Sequence, residues 1–151
     1  MGDSYKQFSY STRILALAYT IDGNGFQMTG PMEEVFSFKT NDVPESVAIS
    51  GLEYAPETQT LWILTSFESG ESADDIGGYL WSLPTTGLPL EGAPTLLRHN
   101  DGKPLKFSHK SEGVAPMDNH HLLVIHDDDR RVGPKLKREL HQAVLQIVKI
   151  P

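Results

Sequence analysis

Three adjacent carboxylates, Asp127, Asp128 and Asp129, follow directly on the apolar run Leu122–Ile125 and His126, and another, Glu112, stands beside Gly113. Neighbouring carboxylates repel unless something neutralises them. A hard divalent cation such as Ca²⁺ or Mg²⁺ takes oxygen ligands of this kind, and Arg130 and Arg131, next in the chain, could serve instead. Strand alternation sends adjacent side chains to opposite faces, so the trio cannot converge on one ion without a sharp turn. The calcium-loop spacing Asp-x-Asp-x-Asp-Gly is absent, and a solvated turn with local ion pairs is the plainer alternative. General-base chemistry needs a histidine oriented by a carboxylate. His126 with Asp127 or Glu112 is the local candidate, weighed against an ordinary neutral histidine at the surface. His99, His109, His120, His121 and His141 show no zinc-ligand spacing. There is no Gly-x-Ser-x-Gly and no cysteine to act as nucleophile. Gly23-Asn24-Gly25 is not followed by a helical pattern, so it does not make a phosphate cradle.

The elements that must hold these residues are short and extended. A two-part pattern recurs three times: a short apolar run, a polar gap, then an alternating run. Phe26–Gly30, Leu61–Thr65 and Leu122–His126 are the first parts; Val35–Lys39, Tyr79–Leu83 and Val144–Val148 are the second. Phe36 with Phe38, Leu80 with Leu83, and Leu145 with Ile147 mark half-buried sheet edges. The unbroken runs Leu61–Leu64 and Leu122–Ile125 read as strands buried on both faces, as when one sheet lies between two others. Turn residues precede them at 55–59 and 116–120, and apolar pieces opened by Gly51 and Gly113 precede the turns. In the first unit Ile14–Tyr19 leads into the hairpin signal Asp22–Gly25. Each unit therefore reads as strand, turn, strand, loop, outer strand, with Glu45–Ile49 and Thr95–His99 as weaker first strands of the second and third. Inserts at 68–78, 100–111 and 128–141 are polar, and only Pro134–Gln142 offers a turn or two of helix. Repeated strand sets of this kind predict an all-β chain of β-propeller-like blades, about three of four antiparallel strands, at 12–41, 45–86 and 94–150.

Composition agrees. The 151 residues, 38% of them hydrophobic, can bury one core, and 13 Gly with 10 Pro suit many turns rather than a helical bundle. A formal net charge of −7 disfavours nucleic acid as partner. Residues 130–141 are locally basic, with Arg130, Arg131, Lys135, Lys137 and Arg138 against one Glu, and could dock an acidic partner. A solvated charged loop is the more ordinary explanation. No apolar run reaches membrane-spanning length. The N-terminal stretch lacks a signal peptide, and Lys6 stands where a myristoylation signal wants Ser or Thr. A cytoplasmic protein is expected, or a secreted or periplasmic one if the natural start lies upstream.

Lys110-Ser111-Glu112-Gly113-Val114-Ala115, with Leu122–Ile125 and Asp127–Asp129 after it, resembles the DUF3616 family of bacterial propeller-like proteins. Arg13-Ile14-Leu15, Thr29-Gly30-Pro31 and the runs at Phe36 and Trp81 look like that family's preceding blades, so the resemblance covers most of 12–150. Family members are longer, and the chain matches their C-terminal portion. The resemblance implies a propeller but no particular reaction. The Glu-Gly motif is also similar to lactonase-like and phytase-like esterase propellers; the position faces the central channel in propellers, and in the lactonase-like group a glutamate there ligates a divalent metal. That similarity implies Glu112 as a ligand for Ca²⁺ or Mg²⁺, assisted by Asp127 or His126. Ser50 and the neighbourhood of Arg13, at matching positions of the other units, are poor cation ligands. The alternative is that Glu112 bonds nearby backbone or pairs with Arg13. Rings usually close with about four to eight blades; three would leave apolar sheet faces uncovered unless the N-terminal segment caps them, and missing blades or a homo-oligomer is the favoured expectation. Three functions follow: a binding or assembly scaffold without chemistry, a metal-assisted hydrolase using Glu112, and an interaction module using the 130–141 loop.

Overall fold

A computed structural model describes residues 12–23, 25–38, 40–70, 75–127 and 143–150. Among the described residues ten strands form: β1 (Thr12–Asp22), β2 (Gly25–Phe38), β3 (Ala48–Ala55), β4 (Thr60–Glu68), β5 (Ile76–Pro84), β6 (Thr95–Leu96), β7 (Lys106–Phe107), β8 (Ser111–Asp118), β9 (His121–His126) and β10 (Val144–Lys149). No helix forms among the described residues. The strands make three separate antiparallel sheets: the hairpin β1–β2, a central sheet in the order β3-β4-β5-β6 with β7 also on β5, and β8-β9-β10. None closes on itself among the described residues. Gly25, at φ +111°, supplies the left-handed backbone with which β2 leaves the first turn.

Alternation along β4 and β5 explains why the central sheet lies in the middle. Trp62, Leu64 and Leu80 point one way and join Phe107, Val114, Leu122, Val124 and Val148 in one core. Ile63, Phe67, Tyr79, Trp81 and Leu83 point the other way and pack with Phe38, Val43 and Val47 in a second core. β8–β10 therefore covers one face of the central sheet, and the base of the β1–β2 hairpin, through Phe36 and Phe38, covers the other, while the described residues of 18–34 other than Gly30 stand exposed. Full burial of an aliphatic or aromatic side chain contributes about 1.5–3 kcal/mol, so the two-sided burial of β4 and β5 is the main source of cohesion. Phe38 meets Trp81 edge-on, with ring centroids 5.0 Å apart at 75°. Trp81 Nε1 donates to Thr65 Oγ1 (3.1 Å), and that hydroxyl donates to the Tyr79 carbonyl (3.3 Å), so the polar atoms inside this core are satisfied.

The expected all-β class and the central position of Leu61–Leu64 hold, but several strand assignments do not. The first unit has two strands rather than three, because the polar gap 31–34 is threaded by β2, whose ladder with β1 shifts register at two places. Tyr79–Leu83 is no half-buried edge: β5 sits between β4 and its outer partners, and Leu80 and Leu83 enter opposite cores. Thr95–Leu96 closes the second sheet instead of opening the third. Glu45–Val47 lies outside any strand, and only Ala48 and Ile49 belong to β3. Two polar inserts contain core: Ile76, Gly77 and Gly78 are buried at the start of β5, and Phe107 is buried in β7. β9 is buried on one face only, with Leu122 and Val124 inside and Ile125 in water. The segment 134–142, expected to offer a turn or two of helix, lies outside the described residues.

Candidate functional site

The residues singled out for chemistry meet where β8 begins and β9 ends. Ser111 pairs with His126 in the ladder, and the register then shifts at Glu112 before Gly113 resumes opposite Ile125. Ser111 Oγ lies 3.2 Å from His126 Nδ1, and both residues are fully buried. The His126 ring packs on Phe107 and His109, with centroids 5.3 and 5.6 Å away. His126 is therefore an interior residue, not a surface histidine, and Ser111 is its hydroxyl partner. A nucleophile must reach its substrate, and Ser111 is walled in by Gly78: a methyl built there would lie 2.6 Å from Ser111 Oγ. The pair organises the interior.

Glu112 points outward, and its Oε1 lies 3.3 Å from Lys110 Nζ. Arg13, the cross-channel partner considered for it, sits 3.5 Å from Glu34 instead. Asp127 is exposed, and its backbone N–H donates to the Lys110 carbonyl at 2.9 Å. The fold thus brings Lys110, Ser111, Glu112, His126 and Asp127 into one strand-end cluster. No group of three or more His, Asp or Glu among the described residues is arranged to hold a metal ion. Asp128, Asp129, Arg130, Arg131, Lys135, Lys137 and Arg138 lie outside the described residues.

Two polar arrangements were not legible beforehand. Glu45 accepts from Tyr79 Oη at 2.6 Å and from Lys106 Nζ at 2.7 Å, while Lys106 lies 4.8 Å over the Phe67 ring. Burial alone would raise the Glu45 carboxyl, but the donors from Lys106 and Tyr79 outweigh it and hold the pKa below the ordinary range. Burial, and then the hydrogen bond to Glu45 and its charge, push the Tyr79 hydroxyl well above its ordinary pKa. The network fastens the segment before β3 over the second core. In the β8–β9 turn, Asp118 accepts from the His120 N–H at 2.7 Å and lies 3.0 Å from His121 Nδ1. The His120 and His121 donors lower its pKa. Beside that turn a hollow of 270 Å³ is lined by Glu57, Trp62, Asp118 and Asn119 among others. The Trp62 Nε1–H is buried without a hydrogen-bond partner.

The largest chemical contrast lies at the two ends of the stack. In β1–β2 the opposed pairs Leu17/Met32, Tyr19/Met28 and Ile21/Phe26 share one face, and the Tyr19 and Phe26 rings touch at 5.0 Å between centroids. Alternation sets this face opposite to Ile14 and Phe36, whose side belongs to the second core. Ile21 is 72% exposed, Met28 66% and Met32 63%. At the other end, Leu145 opposes Ile125 and Ile147 opposes Leu123 on the outer face of β9–β10. Leu145 and Ile147 are 60% and 59% exposed. Isolated exposed apolar residues are ordinary, but contiguous apolar faces mark interaction sites.

No helix among the described residues is long and apolar enough to cross a membrane. Fold and site together define an all-β chain of three antiparallel sheets, with apolar side chains exposed on β1–β2 and on β9–β10. Comparison with protein-family models, with curated proteins and with solved structures returns no match.

Proposed function

We propose that this chain is a propeller-type binding and assembly scaffold, of the kind its DUF3616 resemblance implies. The carrying observation is that both end faces of the stack, β1–β2 and β9–β10, are apolar and in water. Consecutive strands β3, β4, β5 and β6 in spatial order, with β8–β10 packed on one face of that sheet and the base of β1–β2 on the other, suit successive blades. The buried Ser111–His126 pair and the Glu112–Lys110 ion pair serve as structure in this reading. The end faces are the working surface, taking up further sheet from a partner.

A hydrophobic dye whose fluorescence rises on binding apolar surface tests this directly. Either the wild type assembles, or the dye binds to the free faces and loses that binding in Phe26→Lys. A monomer that binds no dye would contradict the proposal.

A further inference from the structure

We infer that the outer face of β1–β2 in one copy packs on the outer face of β9–β10 in a second copy. This rests on the scaffold reading and names its partner. The two faces cannot meet within one chain, because they lie on opposite sides of the central sheet: Phe36 and Phe38 tie β2 to one core, whereas Val124 and Val148 tie β9 and β10 to the other. Each is the face of a sheet, and sheet faces pack about 10 Å apart with their side chains interdigitated. Paired rows are ready on both sides: Tyr19/Met28 and Ile21/Phe26 on the hairpin, Leu145/Ile125 and Ile147/Leu123 on the other.

Area supports a second copy. Large side chains offer about 200 Å² each, so Leu15, Tyr19, Ile21, Phe26, Met28 and Met32, all more than half exposed, leave about 700 Å² in water. Ile125, Leu145 and Ile147 leave about 300 Å² more on the same scale. A stable complex buries roughly 1,200–2,000 Å² in total. One such contact with its polar rim comes within that range, and a two-fold pair, in which each hairpin covers the other copy's β9–β10, makes the contact twice. A head-to-tail contact that closes in this way leaves no free end, whereas one that fails to close gives an open chain. Two copies supply six layers, inside the usual range of about four to eight for a ring.

Charge-swap complementation tests this by sedimentation velocity. Met28→Lys and Ile147→Glu change exposed residues, one on each face. The wild type is expected to be dimeric. Each variant alone is expected to be monomeric, its dimer weakened at least about 100-fold by a charge facing an apolar surface. Mixed one to one, the variants should recover a heterodimer, because one contact is then wild type and the other sets the introduced lysine against the introduced glutamate. Thermal melts check folding, and Tyr19→Lys with Leu145→Glu replace any variant that does not fold. If either variant alone dimerises as the wild type does, the contact uses one face only and the head-to-tail inference falls while the scaffold reading stands. A wild type that stays monomeric overturns the second-copy inference, and dye binding then decides the scaffold reading. Failure of the mixture to recover a dimer also overturns it.

Discussion

Gly78 fixes how closely β8 approaches the central sheet. A methyl built on it would lie 2.5 Å from the Thr65 carbonyl oxygen, 2.6 Å from Ser111 Oγ and 2.9 Å from Ser111 Cβ. The carbonyl belongs to the β4–β5 ladder, where Ser66 opposes Gly78, so it cannot move without breaking sheet pairing. Ser111 is held by β9 through His126. Overpacking of a tight core costs about 1–3 kcal/mol when neighbours can shift, and here the backbone neighbour cannot, so Gly78→Ala is expected to cost about 3 kcal/mol. For a chain of this length that lowers the melting temperature by about 10 °C. The control is Gly51→Ala, also at a close crossing. There the added carbon would meet the Glu112 carbonyl and Gly113 Cα at 3.5 Å, ordinary contact, and a shift within about 2 °C is expected. Thermal unfolding by circular dichroism reads both. Equal melting temperatures for wild type and Gly78→Ala would refute the close packing of β8 on β5, and with it the buried Ser111.

Tyr79→Phe should cost about 1–2 kcal/mol near neutral pH, less than a full hydrogen bond to a charge because Lys106 remains and Glu45 is partly solvated. Since the Glu45 pKa is lowered in the fold, its contribution is present above the ordinary glutamate range and is lost as pH falls through and below it. Acid unfolding of Tyr79→Phe should show a shallower loss over that window, and an identical pH profile would remove the network from the account. The raised Tyr79 pKa works in the other direction, its contribution fading as pH rises beyond the ordinary tyrosine range. With Glu112 already beside Lys110, added Ca²⁺ should shift the melting temperatures of wild type and Glu112→Gln equally. A gain confined to the wild type would establish a cation site there.

What could be read from the sequence was whatever periodicity carries. Leu61–Leu64, apolar without a break, announced a strand covered on both faces, and the turns at 55–59 and 22–25 announced hairpins. Thr95–Leu96 and Lys106–Phe107 are two residues long, too short for a period. Gly77 and Gly78 sat at the end of an acidic stretch that looked like loop, although glycine next to an aromatic strand also signals close approach of another backbone. The polar gap before Val35 suggested a break because alternation alone does not show a bulged strand running on. At the candidate site, the Glu-Gly step located the strand end correctly. Ser111 was passed over because its partnership with His126 depends on a register shift that no local pattern records. Glu45, Tyr79 and Lys106 are 34 and 61 residues apart at their two contacts, so only the fold joins them.

The layer order makes the most direct demand on the two tryptophans, which report opposite faces of the central sheet: Trp62 (5% exposed) towards β8–β10 and Trp81 (0%) towards β1–β2. Trp81→Phe and Trp62→Phe leave one reporter each. Iodide quenching of the single-tryptophan variants should find both shielded, with blue-shifted emission. Free quenching of either indole in a folded variant would show that face of the sheet bare and contradict the stack.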